Sequence, residues 1–524
     1  LSTTAIAIAP SANAAAPTCT TDSKGLETCT GKLSNGAGYL IKVPAKYNGT
    51  FFYWNHGVRF TYPLAGVVTV PKGVEELTPS NVPEKQMLLS GYGLATYDRV
   101  SPGGLRGWDA AAGVEMLKEL IDVVKANYTV KKGVVYGSSL AGAILTPFIE
   151  KYPTYADAVG IMAGVTPSIG QSVQSLCDAF YILSVFADPT IKGCAAMGVK
   201  GAASFYAAAA EFGKVVALLT AWGGNLGAPG LEYPAALKGS GIPQRSALLL
   251  TGLLIGLPAK SAHMDGITTS AVIPEQSINA TVAILENFGE AIATGTFGGQ
   301  AISEITGPGF YDNTKTNWFS LLDPADSGRY NLGLSGDGAI AGMLGVLSLA
   351  PRVTGDPAAV AKLKALDKSK FDTTKPVVLL SNEADRLVFS GNQALYQDKA
   401  RAVYDAKLAI YEAARDNAAT SAERAAAAKL KPFFNVASLY AMTPETYTKY
   451  TAAGLPDFAA AIAPSGVGHE SFTKKQTMAW VKILAHAADT GKVGSPGYLQ
   501  QYIKRAPGLN SDLDYRPADL KYIW

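Results

Sequence analysis

A short apolar run, Val134-Val135-Tyr136, breaks at Gly137-Ser138-Ser139-Leu140-Ala141-Gly142 and continues as Ala143-Ile144-Leu145-Thr146-Pro147-Phe148. The pattern reads as strand, sharp turn, helix, with a serine at the apex. A serine there is held on a strained turn with its hydroxyl exposed, and the residues two places to either side must be small because strand and helix backbones nearly touch. Ser139 is thereby the first candidate nucleophile. The same pattern also arises as an ordinary tight turn, so the rest of the chain has to supply its context.

Two runs rich in β-branched and aromatic residues, Gly38 to Pro44 and Gly49 to Trp54, read as strands separated by an Asn48-Gly49 turn. The second ends in Asn55-His56-Gly57-Val58, where a glycine lets the backbone turn N–H groups toward a substrate. Gly93 to Tyr97 is a further short strand. Trp108 to Val124 has Leu117, Leu120, Ile121 and Val124 on one helical face. Asp157 to Gly164 supplies a strand after the elbow helix. Alternating strands and helices are the signature of a mostly parallel sheet covered on both faces.

From about 166 to 373 the chain changes to Ala-rich and Leu-rich helical runs, which read as an inserted, mainly helical cap or lid. The parallel pattern resumes at Pro376-Val377-Val378-Leu379-Leu380 and ends in Asn382-Glu383-Ala384-Asp385. The stretch 393–450, dense in Ala, Lys, Glu and Arg, reads as a second helical insertion. Phe458 to Ile462 is the last strand candidate, followed by Gly466-Val467-Gly468-His469 and an amphipathic helix containing Trp480 and Leu484.

Three loops now carry what acyl chemistry requires, in the order Ser139, Asp385, His469. A serine hydroxyl needs a histidine to take its proton, and that histidine needs a carboxylate to fix its tautomer and stabilise the imidazolium. Of the four histidines, His263 falls in the cap and His486 on the face or edge of the last helix, whereas His469 follows a strand on a glycine-flanked loop. Glu383 competes with Asp385 for the acid's place; Asp385 lies deeper in its loop.

The elbow, the His56-Gly57 loop, the Glu383 to Asp385 loop and the Gly468-His469 loop together resemble the α/β-hydrolase fold superfamily, over about residues 36–165 and 374–490. The resemblance implies an eight-stranded, mostly parallel sheet flanked by helices, with Ser139 as nucleophile, His469 as general acid and base, and Asp385 as orienting acid. It implies an oxyanion hole from backbone N–H groups of Leu140 and of Val58 or Gly57, and neither metal nor organic cofactor. The elbow has Ala141 where glycine is commoner.

The net charge of +3 is spread along the chain, which argues against nucleic acid as a partner. Apolar stretches such as Ala247 to Leu257 fall short of the roughly 20 residues that span a bilayer, so no transmembrane segment is expected. Residues 1–16, ending in Ala12-Asn13-Ala14 and its flank, read as the remnant of a secretory signal. Four cysteines allow three connectivities; Cys19 with Cys29 and Cys177 with Cys194 is favoured because each would staple a weakly held segment, free buried thiols being the alternative. Export to an oxidising compartment agrees with that pairing.

The expected organisation is thus a catalytic domain from 17–165 and 374–524 and a cap over 166–373. The expected activity is that of a secreted serine hydrolase cleaving small-molecule or lipid-like carboxylic esters with a hydrophobic part. An exported peptidase is the nearest alternative; it would need a carboxylate for the substrate amine, for which Glu211, Asp265 and Asp337 are candidates. A non-catalytic binding protein on the same scaffold is the reading from another class.

Overall fold

The computed structural model describes residues 16–74, 76–79, 82–100, 106–198, 201–224, 244–266, 276–324, 336–372, 374–463, 465–517 and 520–522. The segment read as a signal remnant, residues 1–16, lies, but for its last residue, outside the described residues. Among the described residues ten strands form one sheet: β1 Thr18–Thr21, β2 Glu27–Lys32, β3 Gly38–Val43, β4 Thr50–Asn55, β5 Gly93–Tyr97, β6 Lys132–Ser138, β7 Ala158–Met162, β8 Val377–Asn382, β9 Val436–Ala441 and β10 Leu509–Asn510. Their order across the sheet is β1-β2-β3-β5-β4-β6-β7-β8-β9-β10. From β5 to β9 every pairing is parallel, and the pairings outside that block are antiparallel.

The parallel strands are buried on both faces, which is why they are near-continuous apolar runs. Phe51, Tyr53, Val135, Val159 and Leu379 face one side and pack under the helices α2 Ala110–Asn127 and α3 Gly142–Lys151, which follow α1 Glu84–Leu89 in the chain. Phe52, Trp54, Tyr136, Val378 and Leu380 face the other, against the helix Lys474–Thr490. The face of α2 read from the sequence is the buried one: Leu117, Leu120, Ile121 and Val124 are all fully enclosed.

Strands β2 to β9, taken without the edge hairpin strand β1 and the two-residue β10, have the strand order and direction of the α/β-hydrolase fold, with the second of the eight, β3, antiparallel to both its neighbours and a crossover between the third and fourth. The expected eight strands are therefore present, extended to ten. Between β7 and β8 the chain leaves the sheet for a helical insertion that includes α4 Ile169–Phe186, α5 Ala202–Gly224, α6 Gln244–Ile255 and α7 Gln276–Thr306. These helices share a core, built from residues such as Phe180, Leu250, Ile284 and Phe288, that continues onto Leu140 and Ala143 at the elbow.

Two expectations are corrected. The last long strand is Val436–Ala441, inside the stretch read as a second insertion; the helix Gly391–Asp416 is the crossover that delivers the chain from β8 to β9. Phe458 to Ile462 is not a strand, and Phe458 and Ile462 are exposed. Among the described residues one helix, Ala202–Gly223, is long and apolar enough, by length and composition, to cross a membrane. Within the fold that helix lays Phe205 and Phe212 against Phe297 of α7. Both expected disulfides are formed, Cys19–Cys29 across the β1–β2 hairpin and Cys177–Cys194 within the insertion.

Candidate active site

β6 ends at Ser138, a short 3₁₀ turn covers Ser139–Ala141, and α3 begins at Gly142. Ser139 has φ 54°, in the left-handed region that disfavours side chains by roughly 1–2 kcal/mol. The surrounding packing imposes that conformation. A Cβ on Gly137 would lie 2.5 Å from Ala141 Cβ and 2.6 Å from Asn55 O, and one on Gly142 would lie 3.0 Å from Val165 O. Val165 N donates to Ser139 O at 2.9 Å and pins the turn from outside. Small residues around the serine are thus demanded by contact with β4 and the β7 loop.

The loops after β8 and before the helix Lys474–Thr490 bring Asp385 and His469 together. His469 Nδ1 lies 2.9 Å from Asp385 Oδ2 and 3.2 Å from Oδ1. Asp385 is fully buried, and its Oδ1 also accepts from the backbone N–H groups of Leu387 and Val388 at 2.9 and 3.0 Å. Glu383, the competitor, points elsewhere: it pairs with Lys260 at 2.7 Å and accepts from Thr443. His263 is bound to Glu286, and His486 stacks on Tyr498, so neither shares this site.

Ser139 and His469 line one cavity of about 550 Å³, walled by Val58, Val165, Val173, Leu176 and Val388. Gly57 also borders it, so close above the elbow that a Cβ there would lie 3.0 Å from Ser139 Cβ and 3.5 Å from its Oγ. Leu140, at the start of the turn into α3, has its N–H among those a helix start leaves without intrahelical partners.

The loop carrying Gly57 is held from behind. His56 is buried, and burial first, then the cations Arg99 and Arg59, hold its pKa well below the usual imidazole value, so it is neutral. Its Nε2 accepts from Arg99 N–H at 2.9 Å, which places the proton on Nδ1, 2.7 Å from Gly57 O. The Arg99 guanidinium donates to His56 O at 3.1 Å and to Gly57 O at 2.7 Å. A peptide's C=O and N–H point in opposite directions. Holding the Gly57 carbonyl on Arg99 therefore turns the Val58 N–H the other way.

Sequence reasoning did not find Arg99, nor Glu470. Glu470 follows His469 at φ 58°, and its Oε1 lies 3.4 Å from His469 Nε2. Burial alone would lower the His469 pKa, but the carboxylates of Asp385 and Glu470 outweigh it and push it up to about 10. Of the candidates for an amine-binding carboxylate, Glu211 accepts from the backbone of Lys192 and Gly193, and Asp265 from that of Tyr447 and Thr448. Neither borders the cavity, and the side chain of Asp337 lies outside the described residues.

Strand order, elbow and histidine loop together define a protein of the α/β-hydrolase fold. No family model matches the chain, and no curated protein matches it. Among solved structures it is similar to feruloyl esterase B from Aspergillus oryzae, at 10% identity over 82% of this chain and 79% of that one, TM-score 0.33. It is also similar to a tannin acyl hydrolase from Aspergillus niger, at 10% identity over 84% and 78%, TM-score 0.32. A putative dipeptidyl aminopeptidase IV from Bacteroides ovatus matches over 28% of this chain and 21% of its own, at 18% identity and TM-score 0.21. The fold statement rests on the strand order, not on these distant likenesses.

Proposed function

We propose that the protein is a serine hydrolase that cleaves carboxylic esters with a hydrophobic part, through an acyl-enzyme on Ser139. The reading is carried by one observation: a serine forced into a left-handed turn shares a cavity with a histidine whose far nitrogen is bound to a buried carboxylate. His469 takes the Ser139 proton as the hydroxyl attacks and passes it to the leaving alcohol; water then repeats the sequence to release the acid. The N–H groups of Leu140 and Val58 hold the oxyanion. The apolar walls support a hydrophobic acyl or alcohol part, and the two disulfides support an exported protein.

A fluorophosphonate probe is expected to label Ser139, as read by peptide mapping, and nitrophenyl esters of increasing chain length are expected to be turned over. Turnover of aminoacyl anilides alone would sink the ester reading in favour of a peptidase, and labelling elsewhere would remove Ser139 from the mechanism.

Arg99 provides a second check, on the oxyanion loop. Arg99→Met leaves the His56 carbonyl without its guanidinium donor and the Gly57 carbonyl held by His56 Nδ1 alone, so the Val58 N–H is less firmly aimed. Loss of one oxyanion donor typically costs about a hundredfold or more in kcat. The expected result is a fall of that order in kcat with KM within about threefold, and weaker inhibition by a boronate analogue of the tetrahedral intermediate. An unchanged kcat in a folded variant would show that the loop aims itself.

A further inference from the structure

The carboxylate of Glu470 stands where the proposed reaction has least use for one. Among the described residues, the cavity wall holds no lysine or arginine, and Glu470 is its one carboxylate. Its Oε1 faces two parts of the machinery: His469 Nε2 at 3.4 Å, and the Gly57 loop, where a Cβ would be 3.8 Å away. The side chain also bonds Ser138, beside the nucleophile. Its backbone is in the left-handed region, which an ordinary side chain adopts only when its surroundings hold it there.

An anion at this place hinders the reaction in two ways. It stabilises a protonated His469 in the free protein, which withholds the base that Ser139 needs. It also repels the oxyanion that forms by the Gly57 loop. Both penalties vanish when a cation pairs with the carboxylate, since the field that reaches His469 and the oxyanion is then largely cancelled.

We propose that Glu470 makes this pocket selective for substrates that carry a positive charge within a few bonds of the scissile carbonyl, and that in the free protein its carboxylate rests on His469 until such a group replaces the histidine as its partner. This deepens the serine-hydrolase reading and rests on it. The groups that face His469 are Asp385 from the loop after β8 and Glu470 on its own loop; Glu76, paired with Arg59, is the next carboxylate to feel Glu470. With Asp385 fixed and buried, Glu470 is the variable charge.

The test uses isosteric substrates in which a quaternary nitrogen replaces a quaternary carbon. Choline esters are set beside 3,3-dimethylbutyl esters of the same acid, and the 4-nitrophenyl ester of trimethylammonioacetate beside that of 3,3-dimethylbutyrate. Each kcat/KM is divided by the ester's own alkaline hydrolysis rate. Wild type is expected to favour the cationic member by about tenfold or more in at least one pair, and that pair tells whether the charge sits on the alcohol or the acyl side. Glu470→Gln is expected to erase the preference, to raise neutral-ester turnover near pH 7, and to move the acid limb of the neutral ester's kcat/KM profile to lower pH.

A cation preference that survives Glu470→Gln, or an acid limb that stays in place, overturns the proposal. If that variant does not fold, the absence of any cation preference in wild type overturns it equally. Failure of the underlying reading looks different: a fluorophosphonate that leaves Ser139 unlabelled refutes the nucleophile, whereas a labelled Ser139 with charge-blind selectivity refutes only the role of Glu470.

Discussion

Ser139→Ala is expected to lower ester turnover by about a millionfold and to abolish fluorophosphonate labelling, because loss of the nucleophile costs nearly as much as loss of a whole triad. The same position tests the backbone. Ser139 sits at φ 54°, where alanine is as strained as serine and glycine is not. In an ordinary helical or strand position glycine is about 0.5–1 kcal/mol less stable than alanine. Here Ser139→Gly is expected to be inactive yet at least as stable as Ser139→Ala in thermal unfolding. Retained activity in the alanine variant would remove Ser139 from the chemistry; a glycine variant clearly less stable than the alanine one would show that the elbow carries no strain.

Much of the candidate site was legible because its parts lie at the ends of buried strands. Apolar runs that stop at glycine or a polar loop mark β4, β6 and β8, and Gly57, Ser139 and Asp385 follow them within a few residues. β9 escaped because six residues, Val-Ala-Ser-Leu-Tyr-Ala, follow an Ala-rich helix whose composition dominates the window. Phe458 to Ile462 misled for the converse reason: a short apolar run has no periodicity of its own, and only tertiary packing decides whether it is covered.

Arg99 was invisible for a topological reason. It lies 43 residues from His56 along the chain, and only the parallel pairing of β5 beside β4, with Trp54 opposite Thr96, brings the two strand ends together. Glu470 adjoins His469 in sequence, but one residue's step along a loop does not say which side chain enters the cavity. The choice between Asp385 and Glu383 needed the same information. Two residues apart, one turns to His469 and the other to Lys260.

Asp385→Asn is expected to lower kcat by about ten-thousandfold, the scale seen when a triad carboxylate becomes an amide in serine proteases. The local hydrogen bonds fix the sense of the effect. Oδ1 of Asp385 receives the N–H groups of Leu387 and Val388, so the oxygen of an asparagine is kept there and its NH₂ is turned to His469 Nδ1. Nδ1 must then accept, the ring proton moves to Nε2, and the nitrogen that should receive the Ser139 proton is occupied. The charge change adds a stability signature. In wild type the His469 pKa is raised to about 10, so the imidazolium's contribution is complete below the ordinary value near 6.5 and is lost as pH rises through 10. Removing the Asp385 charge should flatten that alkaline loss in unfolding measured against pH. Glu383→Gln, by contrast, breaks a pair with Lys260 and should leave kcat within about threefold. If Glu383→Gln were the damaging change and Asp385→Asn the silent one, the acid of the proposed triad would have to be reassigned.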